Sequence, residues 1–452
     1  MTQLNLGDRV WRGRLTRRDF VKLASVCTAG CAAAPVLTGC AVNPVTGERQ
    51  LMLMSESQEI SIDRQQSPHQ FSSDYGITQD QSLNRYIGEV GNSLAARTHR
   101  PDMPYRFQAV NAVYVNAYAF PGGSIAVTRG ILVSMDSEAE LAALLGHELG
   151  HVNARHTAAR MSKGTLLNVA LAGTSMVLGD SAASGIAGQL GQLGGAALLA
   201  HYSRDDERQA DALGMEYMVK GNYSPTGMVN LMEMLLNLSD HNPSTIEMMF
   251  STHPMSRERY QNTTELAQSR WSFARDQNLG RERYMDNTAR LRNMKSAIKA
   301  METAEQHIAQ QKFTEARQDI NRIKKLAPND YTGLVIRGKY HYVQSEYKEA
   351  APVFREATNV YPEEAQAHHL LGLTHLALKN PEAALAQFND YERLLPGNPN
   401  TVFLQGIALE NMQQIENAAS HYQRYLQQVN SGQQAQYAYQ RLVDWGYVKP
   451  QG

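Results

Sequence analysis

The sequence predicts an α+β domain, mostly helical with a small sheet, followed by an all-α solenoid of paired helices. Three observations carry that expectation. Apolar and polar residues alternate around Phe107-Gln108-Ala109-Val110 and Ser124-Ile125-Ala126-Val127, the period of two that belongs to strands. Elsewhere before residue 270 the apolar positions mostly recur at helical spacing. From residue 297 a register of 34 residues takes over. Composition agrees, since 452 residues with 42% hydrophobic and 19% charged content suit a folded chain of two or three domains. Lys and Arg number 43 against 44 Asp and Glu, a net charge of −1 that offers nucleic acid no basic field.

The N-terminus reads as an address. Residues 1–22 carry Arg9, Arg12, Arg14, Arg17, Arg18 and Lys22, and 23–38 carry no charge yet are too short and too weakly apolar to span a membrane. Thr16-Arg17-Arg18-Asp19-Phe20-Val21-Lys22 resembles the twin-arginine export motif. Leu37-Thr38-Gly39-Cys40 resembles a lipobox, which implies acylation of Cys40 after cleavage. Residues 1–39 are therefore expected as a lipoprotein signal and 40–54 as a tether. Ala41, where Asp would mark inner-membrane retention, favours the periplasmic face of the outer membrane in a host with two membranes. The three cysteines, Cys27, Cys31 and Cys40, all fall in this region, so no disulfide framework staples the body.

Residues 55–270 are expected as one domain, with helices at 55–67 and 78–98 and short strands over 105–132 that turn at Pro121-Gly122-Gly123. Ser137-Glu138-Ala139-Glu140 then opens a helix in capping-box form, which runs through Leu141, Leu144 and Leu145 into His147-Glu148-Leu149-Gly150-His151. Four residues apart on a helix, His147 and His151 stand one above the other and both reach one metal ion, while Glu148 on the adjoining face reaches a bound water. Gly150 permits close approach of another backbone. The bland alternative is an amphipathic surface helix. A second capped helix begins at Ser203 and puts Glu207 and Asp211 on one face. Two histidines and one carboxylate leave a position open for water, so the candidate ligands of one Zn2+ per chain are His147, His151 and Glu207. Glu148 is then the general base, and Asp211 the acceptor for the other ring N–H of a ligating histidine. His156 and His201 flank these motifs as structural residues.

Between Lys163 and Arg204 the only charge is Asp180. Two readings stay open for this stretch: a transmembrane hairpin, for which its pieces are short or diluted by Gly, Ser and Gln, and a mobile helical lid, which the glycine content favours.

Residues 271–296 are polar and expected as a helical linker. Beyond them Pro328, Pro362 and Pro396 recur at 34 residues, as do Ala316, Ala350, Ala384 and Ala418, and Gly338, Gly372 and Gly406. Phe354, Phe388 and Tyr422 each follow one of those alanines by four. The register resembles the tetratricopeptide repeat, with small residues where paired helices touch and an aromatic ring between them. Four units fit 297–432, the first degenerate with Ala304 and Ile320 at the glycine and aromatic positions. Residues 433–452 follow as a capping helix, ending near Trp445, and a tail.

Over roughly 110–260 the chain resembles the zinc metallopeptidase family of HtpX and the CAAX-prenyl endopeptidases. The resemblance rests on Asn116-Ala117-Tyr118-Ala119-Phe120-Pro121-Gly122-Gly123, HELGH at 147–151, Ser203-Arg204 leading to Glu207 and Asp211, and Thr252-His253-Pro254 with Arg259. With the signal and the repeats, it is most similar to the periplasmic BepA-type members, which lack transmembrane helices. It implies a zincin-type (gluzincin) fold, His253 and Arg259 as groups that stabilise the oxyanion, and an edge strand over 113–120, with Asn116, Ala117, Tyr118 and Ala119, onto which an extended substrate pairs. His253 has a second reading, as an occupant of the metal's fourth position that keeps the enzyme latent. The expected function is a lipid-anchored zinc endopeptidase of the cell envelope, degrading misfolded or stalled outer-membrane proteins. Its expected partners are unfolded protein substrates, an envelope assembly machinery reached through the repeats, and the membrane, with no nucleic acid. The alternative is a chaperone or scaffold for envelope assembly in which proteolysis is secondary.

Overall fold

The computed structural model describes residues 40–163, 201–241 and 243–449. The signal expected over 1–39 and most of the uncharged stretch, 164–200, lie outside these residues. The described residues begin with a hairpin of β1 (Cys40–Val42) and β2 (Arg49–Leu51), antiparallel with Ala41 opposite Gln50. Its turn is held by Asn43 Oδ1, which accepts from the backbone N–H of Val45 at 2.8 Å. Leu53 N–H then donates to Ser162 Oγ at 2.9 Å, and Met52 and Met54 are buried. The segment expected as a loose tether is thus folded onto the domain, because two buried methionines give it apolar surface to bury.

Helix α1 (Glu56–Ser73) starts in a capping box between Ser55 and Gln58, and α2 (Gln81–Ala95) is capped by Asp80. The sheet has three strands, β3 (Arg106–Val110), β4 (Ala117–Ala119) and β5 (Ser124–Thr128), in the order β3-β5-β4. β3 runs parallel to β5 and β4 antiparallel to it, with Gly123 at φ 102° turning the chain between β4 and β5. A short helix, α3 (Arg129–Leu132), leads to α4 (Glu138–Asn153), in which every residue is buried. A helix clad on all sides is a core element, so the amphipathic surface alternative fails here. On it pack α5 (Arg204–Lys220) and α6 (Thr226–His241), and on these lie α7 (Pro243–Thr252) and α8 (Arg257–Gln268). Among the described residues no helix is long and apolar enough to cross a membrane.

The expected linker contains α9 (Arg281–Asn293), whose buried Tyr284 donates its hydroxyl to Leu132 O at 2.6 Å. It is a packed element rather than a spacer. The repeats follow as helix pairs: α10 (Lys295–Ala309) with α11 (Phe313–Leu326), α12 (Tyr331–Val343) with α13 (Tyr347–Val360), α14 (Ala365–Ala377) with α15 (Pro381–Leu394), and α16 (Pro399–Asn411) with α17 (Ile415–Leu426). Helix α18 (Gln433–Asp444) ends the array. The recurring glycines have a steric cause. A Cβ at Gly338, Gly372 or Gly406 would lie 2.3–2.5 Å from a ring carbon of Phe354, Phe388 or Tyr422, respectively. The ring occupies the space a side chain would need.

The repeats do not stand apart. A single apolar cluster runs from Tyr75 through the α4 leucines to Leu371 in the third repeat. Polar contacts stitch the same junction: Arg129 Nη1 pairs with Asp330 at 2.7 Å, Thr332 Oγ1 donates to Asn111 O at 3.2 Å, and the Tyr361 hydroxyl donates to Ile77 O at 2.9 Å.

Each pair turns through a left-handed residue that is not glycine: Gln311 at φ 57°, Ser345 at 61°, Lys379 at 57° and Gln413 at 60°. The residue after each donates back five positions, as Asn380 N–H does to His375 O at 2.9 Å, which closes the first helix. A side chain costs about 1 kcal/mol in this conformation. Replacing exposed Lys379 by Gly is therefore expected to stabilise the repeats by about 0.5–1 kcal/mol, after the entropy a glycine adds to the unfolded chain. Denaturant unfolding of Lys379→Gly beside Lys379→Ala checks this, since only the first should gain.

Candidate metal centre

Three short backbone contacts position the site. Along α4, a Cβ on Gly146 would lie 2.8 Å from Gly214 O, and one on Gly150 would lie 2.9 Å from Ala210 Cα. From α5, a Cβ on Gly214 would meet His147 N at 2.7 Å. The two helices therefore cross backbone to backbone. This brings Glu207, in the first turn of α5 beneath a capping box of Ser203 and Asp206, against the α4 histidines.

His147 Nε2 lies 3.1 Å from His151 Nε2 and 3.6 Å from Glu207 Oε2, and His151 Nε2 lies 3.4 Å from Glu207 Oε1. Ligands at 2.0–2.1 Å from a tetrahedral ion are about 3.3 Å apart, so these separations are the edges of a coordination tetrahedron. His253, which follows α7, sits at the next corner, with Nδ1 3.4 Å from His147 Nε2 and 3.1 Å from Glu207 Oε1. The four residues are buried, with one ligand atom from each inside a sphere of contacts no wider than 4.8 Å. Imidazole and carboxylate donors at this spacing fit one divalent metal. Glu148 is fully buried beside them, and neither of its carboxylate oxygens has a hydrogen-bond partner. An orphaned carboxylate next to three imidazoles is what a general base awaiting water looks like.

Asp211 Oδ1 lies 2.9 Å from His147 Nδ1, the expected distance for fixing that ring. Arg259, for which the sequence suggests an oxyanion-binding role, is engaged elsewhere. Its Nε and Nη2 donate to the two Asp211 oxygens at 2.8 and 2.7 Å, and Nη1 lies 2.6 Å from Glu207 Oε2. With all three nitrogens committed behind the ligands, it is a positioning residue. His253 Nε2 is 3.8 Å from Glu148 Oε1, which keeps it close to where charge would develop.

The charges follow from this packing. Burial pushes Glu148 up, only partly offset by His253 and His147. Burial also acts to raise Glu207, but His253 and Arg259 outweigh it and hold the carboxyl well below its ordinary value. Asp211 is likewise held low by Arg259 against its burial. Burial keeps the His151 imidazole well below its usual value, hence neutral, as a ligand must be.

Sequence reasoning left His156 as a structural residue without a partner to name, and did not single out Gln209 or Tyr202. Asn153 ends α4, and Arg155 at φ 58° reverses the chain, held by Glu59 at 3.0 Å and by Met54 O at 2.7 Å. The reversal swings His156 back until its Nδ1 is 2.9 Å from His151 Nδ1, and its Nε2 is 2.9 Å from Gln209 Oε1. With His151 Nε2 given to a metal, its proton sits on Nδ1 and donates to His156 Nδ1, which leaves the His156 proton on Nε2 for Gln209. Tyr202 stacks on the His151 ring at a centroid distance of 3.8 Å. A spacing of five matches no helical face, so only a left-handed turn at Arg155 could have flagged His156. His201 Nδ1 instead meets Ser251 O at 3.2 Å, away from the ligands.

β4 lies at one edge of the sheet, as the reading of residues 113–120 requires, although it is only three residues long. Tyr118 donates its hydroxyl to Asp74 at 2.5 Å, and Asn116 Oδ1 is buried without a partner. β4 packs against α4, the helix that carries His147 and His151.

Residues 81–267 match peptidase family M48, and residues 337–399 match a tetratricopeptide repeat family. Metalloprotease LoiP of Escherichia coli is 31% identical over 184 residues, which cover 40% of this chain and 67% of LoiP. The chain belongs to peptidase family M48. Other M48 relatives are named beta-barrel assembly-enhancing protease. The one from Yersinia pestis is 31% identical over 185 residues, and that from Escherichia coli is 27% identical over 188. Each alignment covers 40% of this chain and 38% of the relative, so the chain matches about two fifths of the length of these two proteins.

Two outcomes test the M48 site. His156→Leu removes the acceptor that holds the His151 proton, and should weaken zinc binding about 10–100-fold in chelator competition while the fold persists by circular dichroism. Unchanged affinity would refute the chain from His151 to Gln209. Glu207 and Asp211 have depressed pKa values, so their contribution to stability is complete above the ordinary carboxylate range and fades as pH falls through the depressed values. Arg259→Gln removes the main charge that depresses Asp211 and, after His253, the next that depresses Glu207, and should move the midpoint of acid unfolding to higher pH.

Proposed function

We propose that the chain is a zinc-dependent endopeptidase of the cell envelope, anchored by a lipid on Cys40, that degrades misfolded or stalled outer-membrane proteins recruited through its repeats. The observation that carries the peptidase reading is the pairing of a ligand tetrahedron with the orphaned Glu148 carboxylate. Zinc is the metal that HExxH on a helix favours, and when bound it acidifies a water and polarises a peptide carbonyl. Glu148 takes the proton of that water and later delivers it to the leaving amine, and burial suits it to both roles. His147 and His151 are kept in register by Asp211 and His156, and Arg259 holds Glu207 against them. An extended substrate pairs along residues 116–119, which favours unfolded chains over folded ones.

The envelope setting is supported by the names of the M48 relatives and by the address-like N-terminus. If Cys40 carries the lipid, the folded hairpin after it would hold the domain close to the membrane instead of letting it range on a tether. The position of His253 supports one refinement. Its Nδ1 competes for the fourth corner of the tetrahedron, so it would hold the enzyme latent until substrate displaces it.

Glu148→Gln should retain zinc and lose casein cleavage by about 10²–10⁴-fold, the usual contribution of a general base. A Glu148→Gln protein that fully restores a deletion strain would instead favour the chaperone or scaffold reading. His253→Ala should raise basal cleavage if the residue gates the site, and unchanged or lower cleavage counts against gating.

A further inference from the structure

A cleft of about 600 Å³ opens between the residues that lead into β4, helix α6 and helix α10 of the first repeat. Val113 and Val115 form one wall, Glu233 of α6 another, and Lys299 and Glu302 of α10 a third. Glu140 of α4 lines it as well.

Two features tie the cleft to the site. Glu140 precedes His147 by seven residues on α4, which is two turns along the same face and about 10 Å. Residues 113–119 lead from the cleft toward the histidine-bearing helix, because Val113 and Val115 line the one and β4 packs on α4. An extended chain advances about 3.3 Å per residue, so the 10 Å along α4 is about three residues and the run from Val115 to Ala119 is four.

The floor of the cleft is unfinished. Glu302 is only 5% exposed, and while its Oε2 accepts from Lys299 at 2.9 Å, its Oε1 is buried without a hydrogen-bond partner. A buried carboxylate oxygen left unpaired is costly and favours any ligand that brings a donor. Glu233 adds an exposed acidic group on the facing wall, whereas Arg281, Lys295 and Lys299 are exposed at the rim.

We propose that this cleft is a substrate subsite that takes the side chain three or four positions from the cleaved bond of an extended polypeptide, with Glu302 on its floor selecting a basic residue there. The proposal rests on the endopeptidase reading. It gives the first repeat a direct part in choosing where a chain is cut, in addition to any recruitment by the array.

The test uses the full chain with zinc, as wild type, Glu302→Gln and Glu233→Lys. Casein fragments are mapped by mass spectrometry, and kcat/KM is measured on peptide pairs that differ only by Lys or Glu at each position up to four from the cleaved bond. Wild type should enrich Lys and Arg at one of those positions and prefer the Lys peptide about tenfold or more, the range for a hydrogen bond to a charged group. Glu302→Gln should bring that ratio toward one, and Glu233→Lys should lower it through the facing wall even if Glu302→Gln folds poorly. Cleavage by all three proteins with one and the same profile overturns the subsite alone. No cleavage by wild type overturns the endopeptidase reading, and the subsite with it.

Discussion

The crossing of α4 and α5 is the constraint on which the rest depends. At Gly146, Gly150 and Gly214 the two backbones touch, and no residue with a side chain would let them. That contact sets the distance between a pair of histidines on one helix and a carboxylate on the other to within the edges of a single coordination tetrahedron. Asp211, one turn beyond Glu207 on the same face, reaches the outer nitrogen of His147 for the same reason. Arg259 then bridges both carboxylates from α8, so the negative charge that the site concentrates is met by a buried cation instead of by water.

Much of this was legible in the sequence because it is written in spacings within single helices. His147 with His151, and Glu207 with Asp211, are pairs four apart, and a period of 3.6 puts each pair on one face whatever the surroundings. Gly150 between them announced the close approach. The 34-residue register was legible for a similar reason, since a glycine under an aromatic ring tolerates no substitute. What stayed hidden depends on chain reversals and on contacts between distant segments. His156 reaches His151 only because Arg155 adopts a left-handed conformation, and arginine gives no sign of that. The turns at Gln311, Ser345, Lys379 and Gln413 are equally unmarked. The pairing of Arg259 with its two carboxylates was not legible either, because they lie 48 and 52 residues away in sequence.

The junction between the catalytic domain and the repeats was also beyond sequence reasoning. Residues 271–296 read as polar and therefore as linker, yet Tyr284 and Leu291 join the core cluster and dock α9 on it. The repeats then continue the same apolar cluster, with Arg129 and Asp330 sealing its edge. A buried polar group spans the join as well: Tyr118 of β4 and Tyr114 both donate to Asp74, and Tyr75 beside it contacts Glu305 and Lys339 of the repeats. The strand expected to hold substrate and the array expected to recruit it are thus connected through packed side chains, and movement of one against the other would break hydrogen bonds in a buried setting.

The central claim is that one zinc ion is held by His147, His151 and Glu207. Zinc X-ray absorption on the purified chain, beside Glu207→Gln, tests it most directly. One zinc per chain is expected, bound by imidazole nitrogens and a carboxylate oxygen at about 2.0–2.1 Å without sulfur, with loss of the ion or of its oxygen ligand in the variant. A chain that retains no zinc, or a coordination shell that Glu207→Gln leaves unchanged, would contradict it.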